Sequence, residues 1–202
     1  ENRTETFANG SRRTFGGAVE RTRFMYPRMI QVSGDFSNLL EADYSEDFSC
    51  ISHQVDEQQD VHDKYEWSTR YVKENTVINQ LWWGEKDVPV KDLEHQLKMQ
   101  ILTISTIRQP PGQVIPIHKD IFYQIKKSYD VEGKKIVRAN IHLNDWAPGH
   151  MIQFERKNEW HDWTRWKTNQ GLMFDETSLH IGMNGGTTHK YTLQLSGFLE
   201  RP

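Results

Sequence analysis

The clearest pattern in the chain is an alternation near residue 140. Val137, Ala139, Ile141 and Leu143 stand on one parity, and Arg138, Asn140, His142 and Asn144 on the other. Side chains two apart along an extended segment share a face, so this stretch predicts a strand with one apolar and one polar side. Ile101, Leu102, Thr103, Ile104, Ser105, Thr106 and Ile107 form a second, β-branched run, and Lys190 to Gly197 alternates again. Shorter apolar pieces, Met151-Ile152-Gln153-Phe154 and Gly171-Leu172-Met173-Phe174, lie between them. Pro110-Pro111-Gly112 and Asp145-Trp146-Ala147-Pro148-Gly149 supply turns. Regularly spaced strands with almost no helical periodicity after residue 100 predict a mainly β fold with flanking helices, a sandwich or barrel of jelly-roll type.

The first half is less regular. Residues 1–24, rich in Arg, Thr, Gly and Asn, read as an irregular arm, its Arg12, Arg13, Arg21 and Arg23 either solvated or meeting a partner. Residues 25–202 are expected to form a single domain. Segments 28–32 and 48–51 read as short strands or a strand and helix mixture, and 54–63 as a surface loop or exposed helix with a solvated His62. Trp82 and Trp83 are adjacent and so point different ways, one packing and the other walling a pocket or interface. A turn and a short helix follow over 87–98, with His95 exposed. His150 and His161 are expected to be solvated in loops, and Phe122, Tyr123 and Tyr191 to lie in the core. Trp160, Trp163 and Trp166 either wall an entrance or clamp a hairpin onto the barrel.

Composition narrows the class. At 202 residues, 36% hydrophobic and 26% charged, the chain suits one large soluble domain. Its net charge of -3 gives no electrostatic reason for a nucleic-acid partner. Cys50 stands alone, so no internal disulfide forms and the chain fits a reducing, cytoplasmic compartment. No apolar run approaches the roughly 18 residues of a membrane span.

The candidate chemistry lies in Pro110 to Asp120 and in two later residues. His118 and Asp120 are two apart on a segment expected to be extended, which turns imidazole and carboxylate the same way. His180 adds a second imidazole. Two histidines and one carboxylate on one side of an ion, with the opposite positions open, form the ligand set of non-haem Fe(II) oxygenases. A 2-oxo acid held on such an ion needs a cation for its far carboxylate. Lys190 follows His180 by ten residues and opens the last strand; if it faces inward, Thr192, Gln194 and Ser196 face inward with it. Arg138, Asn140 and His142 then point to the same cavity. Each also has a plainer reading: Lys190 as a strand-edge lysine, Arg138 in a surface ion pair, Asn140 as a hydrogen-bonding pocket residue, and His142 as a core histidine bonded to a carbonyl.

Taken together, Pro111-Gly112, His118-x-Asp120, His180 and Lys190 resemble the Fe(II)/2-oxoglutarate-dependent oxygenase superfamily over about residues 100–200. The Lys ten residues beyond the distal His is similar to the prolyl 4-hydroxylases. Arg138-Ala-Asn-Ile-His142-Leu and Gly171-Leu-Met-Phe-Asp175-Glu-Thr-Ser-Leu-His180 resemble the aspartyl/asparaginyl β-hydroxylase branch. That branch usually carries Arg where Lys190 stands, and a basic residue where Asn140 stands; its animal members lack a carboxylate where Asp120 stands. The resemblance implies a double-stranded β-helix of cupin-like type and Fe(II) held by His118, Asp120 and His180. It further implies 2-oxoglutarate contacted by Lys190 and His142, and hydroxylation by O2 of an amino acid or peptide side chain with release of succinate and CO2. The competing expectations are a cupin-like metal-binding isomerase and a non-enzymatic binding barrel.

Overall fold

The computed structural model describes residues 26–45, 48–49 and 58–200. The expected arm over 1–24 and Cys50 lie outside them. Two antiparallel sheets carry the architecture. The larger has seven strands in the order β1 (Arg28–Gln31), β9 (Gln170–Asp175), β6 (Ile136–His142), β11 (Lys190–Leu199), β4 (Met99–Gln109), β3 (Val77–Trp82) and β2 (Phe48–Ser49). The smaller has four, ordered β5 (Gln113–His118), β10 (His180–Asn184), β7 (His150–Arg156) and β8 (Glu159–Trp163). From β4 onward the chain passes back and forth between the two sheets, except at the β7 and β8 hairpin, which is the jelly-roll arrangement expected from the strand spacing.

The alternation first seen in sequence decides the layering. Val137, Ala139 and Ile141 of β6 and Leu193 and Leu195 of β11 are wholly buried on the outer face of the large sheet. They pack there against Leu93 and Leu97 of helix α4 (Val90–Leu97), and against Val32, Phe36 and Leu39 beside helix α1 (Ser37–Leu40). The opposite parity of the same strands faces the small sheet. Between the sheets, Ile152, Trp163, Trp166, Leu172 and Phe174 close one end. Phe122 and Ile125 close another beside helix α5 (Tyr123–Ser128), where they meet Ile136 and Phe198. At Gly197 the register of β11 on β4 shifts, and a Cβ there would collide with the Gln100 carbonyl.

Trp82 and Trp83 divide as expected. Trp82 is 68% exposed, whereas Trp83 packs on the outer core and donates its indole N–H to Thr106 Oγ1 at 2.8 Å. The tryptophan-rich segment is a hairpin of β7 and β8 clamped by buried Trp163 and Trp166. Three histidines depart from expectation. His62, in helix α2 (Gln59–Lys64), is buried under Trp67, the first residue of helix α3 (Trp67–Arg70), at a ring separation of 4.0 Å. His150 opens β7 fully buried, and His161 lies in β8 half-covered by Phe154. Burying an imidazole costs little when the ring stacks and stays neutral, so polarity in the sequence does not fix its exposure. Tyr123, expected in the core, is 53% exposed, because helix α5 turns Phe122 inward instead. Among the described residues no helix is long and apolar enough to cross a membrane.

Candidate metal centre and its cavity

The pairing of β5 with β10 builds the centre. Gly112, in the left-handed region at φ 79°, closes the turn that starts β5, and its N–H donates to the Asn184 carbonyl at 2.7 Å. A register shift between Gly182 and His180 then sets His118, rather than Ile117, directly opposite His180. Their ring centroids lie 4.2 Å apart. β5 ends at His118, so Asp120 reaches the same point from just beyond the strand rather than within it.

Each imidazole is oriented by backbone. His118 Nδ1 lies 2.6 Å from the Pro116 carbonyl and His180 Nδ1 lies 3.0 Å from the Ser178 carbonyl. A carbonyl only accepts, so each Nδ1 carries the proton and each Nε2 presents a lone pair to the centre. Phe174 stacks on the back of His180 at 4.2 Å. Burial, then the neighbouring His118, pushes the His180 pKa down to about 3; burial also lowers that of His118. Both rings are therefore neutral near pH 7, the form that ligates metals.

Asp120 is the anionic member. Its Oδ1 lies 4.0 Å from His118 Nε2 and its Oδ2 4.0 Å from His180 Nε2. Burial opposes its charge, but Arg138 and the two histidines outweigh that and hold its pKa below the usual carboxylate range. Oδ1 accepts a hydrogen bond from Arg138 Nη1 at 2.7 Å. Oδ2 is buried with no hydrogen-bond partner among the described residues. An orphaned carboxylate oxygen between two inward lone pairs lacks only a positive centre, and the three ligand atoms lie within 4.8 Å of one another. These residues fit a divalent metal.

A cavity of about 400 Å³ between the sheets contains the triad. Lys190, Thr192, Gln194 and Ser196 all line it, as their shared parity predicts. Lys190 is only 3% exposed. Its Nζ donates to the Met183 carbonyl at 3.1 Å and the Met151 carbonyl at 3.4 Å, and among the described residues no carboxylate pairs with it. Burial pushes its pKa down to about 7. Gly182 leaves the space in front of the amine open; a Cβ there would sit 3.5 Å from Nζ.

The polar face of β6 divides. Asn140 lines the cavity, with its buried Oδ1 unpartnered among the described residues. Arg138 also lines it but is turned onto Asp120 and, through Nε, onto Ser196 Oγ at 3.0 Å. His142 lies beyond the lining, stacked on Trp166 at 3.9 Å, with Nδ1 3.4 Å from Thr192 Oγ1. Burial and the nearby Lys190 push its pKa well below the ordinary value. Sequence reasoning missed Gln109, which sits opposite Lys190 in the β4 and β11 register. Its amide N–H groups donate to the Gln113 and Gly182 carbonyls at 2.7 and 3.0 Å, leaving in the cavity wall a buried Oε1 that has no partner among the described residues. Only the strand pairing reveals that position.

No protein-family model and no curated protein matches the chain. Solved structures with a similar fold include a prolyl-4-hydroxylase from Pseudomonas putida, 12% identical over 77% of this chain and 92% of that one, with a TM-score of 0.47. Another is the viral collagen prolyl hydroxylase of Paramecium bursaria Chlorella virus-1, 13% identical over 80% and 98%, with a TM-score of 0.44. A third is a predicted oxalate decarboxylase from Thermotoga maritima, 14% identical over 61% and 82%, with a TM-score of 0.37. At such identities and scores no activity passes from them to this chain. What its own structure carries is a jelly roll with a His-Asp-His cluster suited to a divalent metal, open to a cavity that ends on a buried lysine.

Proposed function

We propose that the protein is an Fe(II)- and 2-oxoglutarate-dependent oxygenase that hydroxylates a C–H bond of an amino acid or peptide side chain. The observation that carries this is Lys190: a buried amine with no carboxylate partner among the described residues, in the same cavity as the triad. An amine so placed is destabilised by burial, and an anionic carboxylate arriving there compensates it. A ligand anchored both at that amine and at the metal suits a short 2-oxo dicarboxylate. His118 Nε2, His180 Nε2 and Asp120 Oδ2 would hold the metal, and Fe(II) when bound supplies the oxidation of the C–H bond by O2, with 2-oxoglutarate converted to succinate and CO2.

The chain's own residues bind and orient. Lys190 receives the far carboxylate, while Gln109 Oε1 and Asn140 Oδ1 offer acceptors along the wall. Both sheets and the Trp163 and Trp166 cluster keep water from the interior. Exposed Trp82 and Tyr123 border the opening through which a substrate enters. The choice of an amino acid or peptide side chain rests on the resemblance of 138–143 and 171–180 to the β-hydroxylase branch. Succinate release from 2-oxoglutarate with Fe(II) tests the proposal, comparing wild type with His118→Ala and Asp120→Ala. Equal turnover in all three would sink it. Thermal stabilisation by metal that 2-oxoglutarate does not increase would favour the cupin-like isomerase instead.

A further inference from the structure

We infer that Arg138 is a positioning residue that makes Asp120 a one-oxygen ligand, so that an open position on the metal is kept from its second oxygen. This rests on the metal reading of the triad but not on the identity of the co-substrate. The Asp120 side chain is 3% exposed, so water does not compete for its oxygens. Arg138 Nη1 engages Oδ1 at 2.7 Å, while among the described residues Oδ2 has no partner. The guanidinium is itself held in place from two sides. Its Nε donates to Ser196 Oγ on β11 at 3.0 Å, and its Cζ lies over the Phe122 ring, 5.5 Å from the centroid. A fork anchored on both sides fixes the rotation of the carboxylate it meets.

The consequence follows from counting coordination positions. Three single-atom protein ligands leave roughly three places on an octahedral ion, whereas a carboxylate that chelates through both oxygens leaves about two. Nothing else among the described residues donates a hydrogen bond to Asp120 at either oxygen. Arg138 also cancels the Asp120 charge locally, so the loaded centre keeps more of the ion's positive charge for an anionic ligand. Its placement against Asp120, rather than toward Lys190, gives this chain one cation for the metal ligand and another for the far end of the cavity.

Mn(II) is the probe, and the relaxation of water protons by the bound ion reads its coordinated waters without any turnover. Wild type and Arg138→Met are compared, with Mn(II) affinity measured alongside. The expected result is a fall in bound-ion relaxivity to roughly two-thirds of wild type, with tighter Mn(II) binding because a positive charge has been removed. Arg138→Lys, which keeps the charge without the fork, should restore wild-type affinity but not the full relaxivity. If Arg138→Met does not fold, Ser196→Ala replaces it: loss of the Nε anchor should lower relaxivity by a smaller amount. Unchanged relaxivity in the folded variants overturns the inference and leaves Arg138 a structural ion pair. Wild type that binds no Mn(II) overturns it together with the metal reading. Mn(II) binding to which 2-oxoglutarate adds nothing, with the relaxivity fall still present, upholds this inference and removes only the proposed co-substrate.

Discussion

Replacing Lys190 with methionine should make the metal-free protein more stable at pH 6, and the gain should disappear as the pH rises toward 10.5. Burial lowers this amine from an ordinary 10.5 to about 7. At about 1.4 kcal/mol per pH unit, that gap corresponds to a cost on the order of 5 kcal/mol whenever the folded protein must carry the charge. Between pH 7 and 10.5 the unfolded chain holds a proton on Lys190 that the folded chain does not, so stability rises with pH through that window. Below pH 7 the cost is present in full. Methionine removes it and fills much of the same volume, but it forfeits the hydrogen bonds to the Met183 and Met151 carbonyls, worth about 1 kcal/mol each. The net gain at pH 6 is therefore roughly 3 kcal/mol. Urea unfolding of both proteins at pH 6, 7.5 and 9 reads the difference directly. The same charge balance predicts that 2-oxoglutarate binds with constant affinity below pH 7 and about tenfold more weakly per unit above it, since the carboxylate needs the protonated amine. A stability difference independent of pH would refute the reasoning and place the Lys190 charge in a solvated setting.

Other expectations follow from the same geometry. Gly182→Leu places a side chain in front of Lys190 and should weaken 2-oxoglutarate binding at least about tenfold, while Mn(II) binding persists; calorimetric titration of each ligand checks both halves. Gly197→Val drives a side chain into the Gln100 carbonyl in the middle of the β4 and β11 pairing and should cost about 2–4 kcal/mol, read from denaturant midpoints. The depressed His180 pKa means that the unfolded chain takes up a proton there below about pH 6.5 which the folded chain refuses until about 3. Stability of the metal-free protein should accordingly fall as the pH drops through that window. A His180 imidazole that titrates near 6.5 by NMR in the folded protein would contradict this.

The legible parts of the fold were those where a local period reports burial. Alternation over β6 and β11 predicted both faces of the large sheet, and the parity of Lys190 correctly carried Thr192, Gln194 and Ser196 into the cavity. Histidines were harder, because an imidazole is equally at home solvated or stacked. His62 and His150 are buried against expectation for reasons that lie in Trp67 and Trp166, residues whose proximity no period announces. Arg138 and His142 share a face with Asn140, yet one turns to Asp120 and the other stays behind Trp166.

By itself, the sequence determined which residues could alternate, turn and ligate: the β-rich second half, the turn at 110–112, and the set His118, Asp120, His180 and Lys190. Tertiary structure alone decided that His118 and His180 face each other, that Gln109 adjoins Lys190, and that Arg138 occupies one oxygen of Asp120. The physical reason is that strand registers and side-chain partners across sheets are set by contacts between segments far apart in the chain, while periodicity records only which side of its own strand each residue takes.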